Sequence, residues 1–361
     1  MRFQRKNEVP CLDGFRGLLA IWLFWFHIHY FDKTIFSSNP QLLHLIKGGP
    51  MGVDGFFALS GFILTHVYHE SFESVKTTTN FLTTYLKFLY FRVARIWPLH
   101  AVMSALWIKP YIFDWRCTKE EYLMEITFTT PMFKPEKWVG ICNAASWSII
   151  NEFYAYLCFP FFYYFLTKLN KNNSAIKNIM MILFVLGVLL LDKWLWHYYL
   201  NHEWKFEHLK YFDINMTLFE FFVGMAFYRI YEKYNSKHWI NDLIVVSLFG
   251  LIVFLCMNYN YMDNYQIYSY IILVFPFFLV KMNSFMFCIL NSAIFKFLGD
   301  ISFSLYLSHA FWINYFKAKV FFILKIYLFY NFLDWPQRKH ALPFVGTNFC
   351  SGPISFNIYF L

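Results

Sequence analysis

Residues 12–31 read LDGFRGLLAIWLFWFHIHYF, an apolar stretch with polar groups near both ends. Its length matches the roughly 20 apolar residues that a helix needs to cross a bilayer. Arg16 and His27 are eleven residues apart. At about 100° per residue this spacing puts both on one helical face, about 16 Å apart along the axis. The stretch therefore predicts a membrane helix with a cation near its start and a titratable base near its end.

Two interpretations of this helix are open at this point. Polar groups at membrane depth are costly, so each is a candidate functional residue. In the alternative, Arg16 extends to lipid phosphates at the interface and His27 is a hydrogen-bonded histidine inside a helix bundle. The spacing by itself does not choose between them.

The composition extends the membrane interpretation to the whole chain of 361 residues. Hydrophobic residues make up 58% and charged residues 15%, and the mean hydropathy is +0.40. Soluble domains have roughly 45–50% apolar and about 25% charged residues, so this chain has too little polar surface for an ordinary soluble enzyme. The same figures exclude a disordered chain, a collagen and a small disulfide scaffold.

The net charge of +9 comes from short Lys and Arg clusters between apolar runs. Such clusters suit loops that face an anionic cytoplasmic leaflet, so we expect a lipid bilayer and no nucleic acid as partner. The seven cysteines form no CxxC pair and no ligand spacing with histidine. No metal site is therefore predicted.

We predict an all-α fold, a polytopic membrane helix bundle with about nine transmembrane helices. Residues 1–330 form the membrane domain, and the proline- and glycine-containing residues 331–361 form an irregular tail. The predicted spans are roughly 12–31, 50–69, 89–108, 147–167, 177–199, 212–232, 241–258, 265–281 and 301–329.

The distribution of basic residues predicts the orientation of these spans. It favours a multi-pass protein with a cytoplasmic N-terminus, with residues 70–88 inside and 109–146 outside. Cys117 and Cys142 both fall in the outer segment. If that side of the membrane is oxidising, they are candidates for a disulfide.

Three further helices carry polar groups. Residues 52–62 read GVDGFFALSGF, in which Asp54 should face a partner or water. Arg92 and Arg95 share a face at i, i+3 on the cytoplasmic side, a pattern that suits phosphate binding although interfacial arginines are common. Ser148 and Glu152 share a face at i, i+4.

The last apolar segment carries a polar stripe. Ser302, Tyr306 and His309 lie at i, i+4 and i+7 and so share a helical face. The stripe indicates either a water-filled cavity or a hydrogen-bonded contact between helices.

Five blocks in this order resemble the integral-membrane acyltransferase 3 family, which includes O-acetyltransferases of bacterial lipopolysaccharide and other glycans. The family patterns are LDGLRG followed by His, GVDxFFxLSGF, RxxRIxP, WSLxxEFY and SYSLYLxH. The matching blocks here are residues 12–17 with His27, 52–62, 92–98, 147–154 and 301–309.

The resemblance implies a bundle of about ten helices. It implies an enzyme that takes an acyl group, with acetyl as the expected one, from cytoplasmic acyl-CoA and delivers it to a hydroxyl, usually of a carbohydrate. His27 then corresponds to the catalytic histidine, Arg16 to its partner and Glu152 to the acid of the fourth-helix motif. Arg92 and Arg95 correspond to the arginines that hold CoA phosphates.

Five further polar residues of these blocks are assigned to substrate binding; they are Asp54, Ser148, Ser302, Tyr306 and His309. The chain departs from the family pattern at Ala310, where proline is usual, and its tail does not offer the further helix that the family has. Two rival hypotheses therefore stay open: a multi-pass transporter or channel, and an inactive acyltransferase relative.

Overall fold

The computed structural model describes residues 10–108, 117–133, 142–169, 206–231, 238–258 and 285–333, with single positions at 187, 191, 271 and 272. Within this part of the chain all regular structure is helical and no strand occurs, which confirms the all-α class. The chain divides into two compact units, Met1–Asn314 and Tyr315–Leu361. All the contacts discussed below lie within the first unit.

Eleven helices are seen in the described residues, and we number them in chain order. They are α1 (Pro10–Phe31), α2 (Pro40–Lys47), α3 (Met51–Glu73), α4 (Thr78–Ala105), α5 (Lys119–Ile126), α6 (Thr130–Phe133), α7 (Ser146–Leu169), α8 (Phe206–Tyr231), α9 (His238–Asn258), α10 (Phe285–Leu290) and α11 (Ala293–Leu333).

The predicted span 89–108 is only the second half of a longer helix. α4 begins at Thr78, and the side chain of Thr77 caps it by accepting a hydrogen bond from the Asn80 amide at 3.2 Å. The first turns carry threonine, asparagine and lysine, so they do not read as apolar. As a result Arg92 and Arg95 lie in the middle of the helix and not at its entry.

The described residues contain two stretches that are long and apolar enough to cross a membrane, Cys11–Phe31 and Pro40–Glu73. The second includes both α2 and α3. Nine transmembrane helices are therefore not confirmed. The predicted spans 177–199 and 265–281 lie outside the described residues except at the four single positions.

Small residues set the closest helix crossings. α3 packs most extensively against α8, where Gly61 lies against the backbone of Phe221 and Gly224 lies against the backbone of Ala58. A side chain at either glycine would meet backbone atoms of the other helix. Such small-residue contacts let membrane helices approach closely.

α1 makes a similar approach to the last two helices. Gly14 lies against the backbone of Leu290, and a Cβ atom at Gly17 would come within 2.7 Å of the Leu298 Cβ. This approach brings the polar face of α1 beside the start of α11, where the candidate site is found.

Candidate active site

A cavity lies between α1, α3, α4, α7 and α11 and encloses about 850 Å³, including the part open to solvent. Its polar lining comes from all five helices. These polar residues are Arg16, Ser60, Arg92, Arg95, Ser148, Glu152, Tyr156, Ser302 and Tyr306. The sequence predicted seven of these nine as site residues.

Arg16 joins α1 to α11 inside this cavity. Its Nε donates to the Ser302 Oγ at 2.9 Å, and its Nη2 donates to the Gly299 carbonyl at 2.8 Å. Asp13, one turn earlier on α1, lies 3.4 Å from Nη2. These bonds hold the guanidinium at the cavity wall, so Arg16 does not simply extend to lipid phosphates.

Glu152 of α7 also lines the cavity and is held by two hydroxyls. Ser60 of α3 and Tyr156 of α7 each donate to its Oε1 at 2.7 Å. Glu152 is the only carboxylate that lines the cavity in the described structure, against three arginines. The lining therefore carries an excess of positive charge.

The two arginines of α4 reach the cavity from one helical face. Arg92 donates from Nη2 to the Tyr68 hydroxyl at 3.0 Å and stacks over the Tyr68 ring at 5.2 Å from its centroid. Its Nε is buried and has no hydrogen-bond partner among the described residues. Arg95 is exposed. Both guanidinium groups thus retain donors for an anionic ligand.

Tyr306 lies between this cavity and a pair of histidines. Its hydroxyl is 2.6 Å from the Ser148 Oγ, and its backbone carbonyl accepts a hydrogen bond from His309 Nδ1. The ring of His309 lies 4.3 Å from the ring of His27, measured between centroids. His27 and His309 themselves are not among the cavity-lining residues.

The hydrogen bonds of the two histidines fix their tautomers when they are neutral. His27 Nδ1 bonds to the Leu23 carbonyl at 2.9 Å, and His309 Nδ1 bonds to the Tyr306 carbonyl. A carbonyl oxygen only accepts, so Nδ1 carries the proton in each ring. Each Nε2 then holds a lone pair that can take a proton from a substrate.

The shared face predicted for Arg16 and His27 exists, because both residues contact α11. Arg16 meets Ser302 and His27 meets His309. The predicted stripe of Ser302, Tyr306 and His309 faces α1 and the cavity. α1 and α11 therefore run parallel where they meet.

Asp54 is one of three predicted site residues, with His27 and His309, that lie outside the cavity lining. It is buried, with 5% of its surface exposed, in the first turn of α3, but it does not line the cavity. Its assignment to substrate binding stays a prediction.

Sequence reasoning did not single out Ser60, Tyr68 or Tyr156. Tyr156 continues the i, i+4 stripe of Ser148 and Glu152 by one more turn, so the signal was present in the sequence. Ser60 lies within the quoted block 52–62 but has no partner within its own helix. Its contact with Glu152 spans 92 positions.

A folded segment between α4 and α7 lies against the end of the bundle. Cys117 and Cys142 form a disulfide with Cα atoms 5.0 Å apart, which confirms the predicted pairing. Glu125 is fully buried beside it and accepts hydrogen bonds from the Cys142 amide at 2.7 Å and the Ser104 hydroxyl at 2.7 Å. Asn143 then donates to the Leu307 carbonyl of α11 at 2.9 Å. The segment is thereby tied to the helix that carries Tyr306 and His309.

The described residues contain no cluster of three or more histidine, cysteine or carboxylate side chains that could hold a metal ion.

Comparison with known proteins identifies the family. Residues 9–347 match the sequence profile of the acyltransferase 3 family, an acyltransferase domain. The chain belongs to this family. Acyltransferase 3 proteins are membrane proteins, and this chain is accordingly a membrane acyltransferase.

Two similar proteins illustrate the relationship. One is protein 2 in the picA locus of Rhizobium radiobacter, 35% identical over 159 residues, which are 39% of this chain and 75% of that protein. Another is the acyltransferase MdmB of Streptomyces mycarofaciens, 29% identical over 180 residues, which are 46% of this chain and 42% of that protein. No solved structure matches.

Proposed function

We propose that this membrane acyltransferase moves an acyl group, acetyl in the simplest case, from cytoplasmic acyl-CoA to a hydroxyl of a carbohydrate. His27 is the general base. Arg16 and Glu152 set the charge of the cavity between the two substrates, and Arg92 and Arg95 hold the donor's phosphates. Acyl-CoA is a substrate here.

One observation carries this proposal: an arginine-rich cavity ends beside a pair of histidines. CoA carries several phosphates, and arginines with unused donors suit them. The lining holds three arginines against Glu152, and the Nε of Arg92 is buried without a partner among the described residues. A phosphate oxygen in the cavity would satisfy that donor.

The histidine supplies the chemistry that a sugar hydroxyl lacks. Such a hydroxyl is a weak nucleophile near neutral pH, and a positioned imidazole can remove its proton as it attacks the thioester carbon. The neutral tautomer of His27 has its lone pair on Nε2, because Nδ1 is bound to the Leu23 carbonyl. After the C–S bond breaks, the imidazolium returns the proton to the thiolate.

The proposal includes a multi-pass protein with a cytoplasmic N-terminus and a membrane domain over residues 1–330. The disulfide between Cys117 and Cys142 supports this orientation, because disulfides persist on oxidising sides of membranes and are rare in the cytosol. Residues 331–361 form a separate tail in this proposal.

The decisive experiment replaces His27 with alanine in membranes supplied with labelled acetyl-CoA. Loss of the base should lower the transfer rate per folded molecule by roughly 10²- to 10⁴-fold. His29→Ala is the matched control, because His29 lies on the same helix and also bonds a backbone carbonyl, that of Ile35 at 3.0 Å. It should keep its activity per folded molecule.

Near-normal specific activity in His27→Ala would reject His27 as the base. Mass spectrometry of cellular glycans with and without the gene tests the acceptor. Acetyl groups that depend on the gene are expected on a carbohydrate hydroxyl, and an unchanged glycan pool would remove carbohydrate from the proposal.

A further inference from the structure

The hydroxyls that line the cavity are not equivalent. Those of Ser60 and Tyr156 donate to Glu152, and that of Ser302 donates to the Gly299 carbonyl at 2.7 Å. These three are committed to a carboxylate or a backbone carbonyl. The hydroxyls of Ser148 and Tyr306 bond each other instead, at 2.6 Å.

The direction of that bond follows from the surroundings of Ser148. Ser148 Oγ also donates to the carbonyl of Ala145 at 3.2 Å, the residue just before α7 begins. With its own hydrogen used there, Ser148 accepts from Tyr306. The Tyr306 hydroxyl therefore donates to a neutral hydroxyl. A neutral hydroxyl is a weaker acceptor than a carboxylate, so a developing negative charge can take this hydrogen bond more easily.

Tyr306 is also a cavity residue that contacts one of the two histidines, His309. Its carbonyl accepts from His309 Nδ1, and its ring centroid lies 5.8 Å from that of His309. His309 in turn lies against His27. A carbonyl group placed at the Tyr306 hydroxyl would therefore lie at the end of the cavity that adjoins the proposed base.

We propose that the Tyr306 hydroxyl is the oxyanion donor of the reaction, held in place by Ser148. This proposal rests on the proposed function, since it needs a thioester in the cavity. As the acceptor oxygen attacks, the thioester carbonyl oxygen gains negative charge and takes the Tyr306 hydrogen bond. The C=O bond then reforms, the C–S bond breaks, and the thiolate leaves with the proton that His27 had accepted.

The physical reason is that a buried donor aimed at developing charge acts more strongly in the transition state than in the bound substrate. Tyr306 is 9% exposed and Ser148 is 5% exposed, so water competes little for either hydroxyl. The guanidinium groups in the same cavity offset the repulsion between Glu152 and the new oxyanion. Tyr306 is thus a catalytic residue and Ser148 a positioning residue in this scheme.

Tyr306→Phe tests the proposal, because it removes one oxygen and keeps the ring. The expected result is a fall in kcat of about 10²- to 10³-fold. The KM for acyl-CoA should stay within about threefold, since an interaction made only in the transition state lowers kcat and kcat/KM together. Ser148→Ala should lower kcat by about three- to tenfold, because Tyr306 keeps its donor but loses the hydroxyl that positions it.

Tyr163→Phe is the matched control. Tyr163 is a buried tyrosine of α7 whose hydroxyl donates to the His69 carbonyl at 3.0 Å, away from the cavity. The Tyr163→Phe substitution removes the same atom from a buried hydrogen bond and should leave kcat unchanged.

The outcomes separate this inference from the proposed function. If Tyr306→Phe keeps kcat within about threefold while His27→Ala loses activity, the oxyanion assignment is wrong and the proposed function stands. A rise in KM with unchanged kcat would also overturn the assignment, because it would mean ground-state binding. If the parent protein transfers no acyl group from acyl-CoA, the proposed function itself fails. If Tyr306→Phe does not accumulate as folded protein, Ser148→Ala decides. An unchanged kcat in that variant rejects the proposal that Ser148 holds the Tyr306 hydroxyl as the oxyanion donor.

Discussion

At the scale of single residues, the charged groups of the cavity depend on hydroxyls from other helices. Arg16 donates to Ser302, and Glu152 accepts from Ser60 and Tyr156. Arg92 is held on Tyr68 by both a hydrogen bond and its ring. Each charged group is thus fixed in place. The three arginines outnumber Glu152 in the cavity lining, so positive charge remains available to an anionic ligand.

The α4 arginines carry the first prediction. Arg92→Ala and Arg95→Ala should each raise the KM for acyl-CoA more than they lower kcat. The loss of one charge-assisted hydrogen bond costs about 1.5–3 kcal/mol, or roughly 10- to 150-fold in binding. Steady-state kinetics over a range of acyl-CoA concentrations measures both quantities.

Lys87→Ala is the control, because Lys87 is an exposed cation on the same helix and does not line the cavity. An unchanged KM in the Arg92→Ala, Arg95→Ala double variant would show that these arginines do not hold the donor.

At the scale of helices, the site is assembled by close crossings. The contact of α3 with α8 rests on Gly61 and Gly224, and the approach of α1 to α11 includes Gly17 beside Leu298. Because the crossings are set by backbone contact, a single methyl group can separate two helices. The relative positions of Ser60, Arg16 and Ser302 depend on these distances.

Gly61→Ala should therefore destabilise the protein. The new Cβ would meet the backbone of Phe221, and overpacking of this kind costs about 1–3 kcal/mol. Thermal unfolding in detergent should show a lower Tm than that of the parent.

Gly250→Ala provides the comparison within the same chain. Gly250 is an exposed residue of α9 with open space around it. Alanine there should be neutral or stabilising by about 0.5–1 kcal/mol, since glycine is a poor helix residue. Equal Tm changes in the two variants would argue against backbone contact at Gly61.

At the scale of the whole molecule, the covalent link and the membrane orientation belong together. The disulfide closes a separation of 25 residues and fixes one end of the segment that reaches α11 through Asn143. In the proposed orientation this segment lies on the non-cytoplasmic side of the membrane. His27, the proposed general base, then lies nearest the membrane face from which a carbohydrate would arrive.

Cys117→Ser and Cys142→Ser should each lower stability by about 2–4 kcal/mol, the usual range for a disulfide. The measurement is the Tm, with Cys288→Ser as control because Cys288 is a free, exposed cysteine. Should the two serine variants match Cys288→Ser in Tm, the disulfide would have no stabilising role.

Labelling of intact cells tests the orientation. A cysteine at the exposed position 120, in α5, should react with a membrane-impermeant thiol reagent from outside. A cysteine at the exposed position 74, between α3 and α4, should react only after permeabilisation. The reverse pattern would place the N-terminus outside.

The sequence by itself determined the helical class and the face on which each polar group lies. Arg16 with His27, Ser148 with Glu152, and Ser302 with Tyr306 and His309 follow from a period of 3.6 residues, which is a property of the local backbone. The five blocks also determined the family. The predicted start of α4 was wrong because the first turns of this helix are polar, and hydropathy does not detect a capped polar turn.

Only the tertiary structure decided which faces meet. The contact of Arg16 with Ser302 spans 286 positions and that of Ser148 with Tyr306 spans 158. The pairing of His27 with His309, and the place of Tyr306 between that pair and the cavity, follow from the same packing. No local period contains such information, because helix crossings depend on the combined shape of several helices and on where glycines let backbones touch.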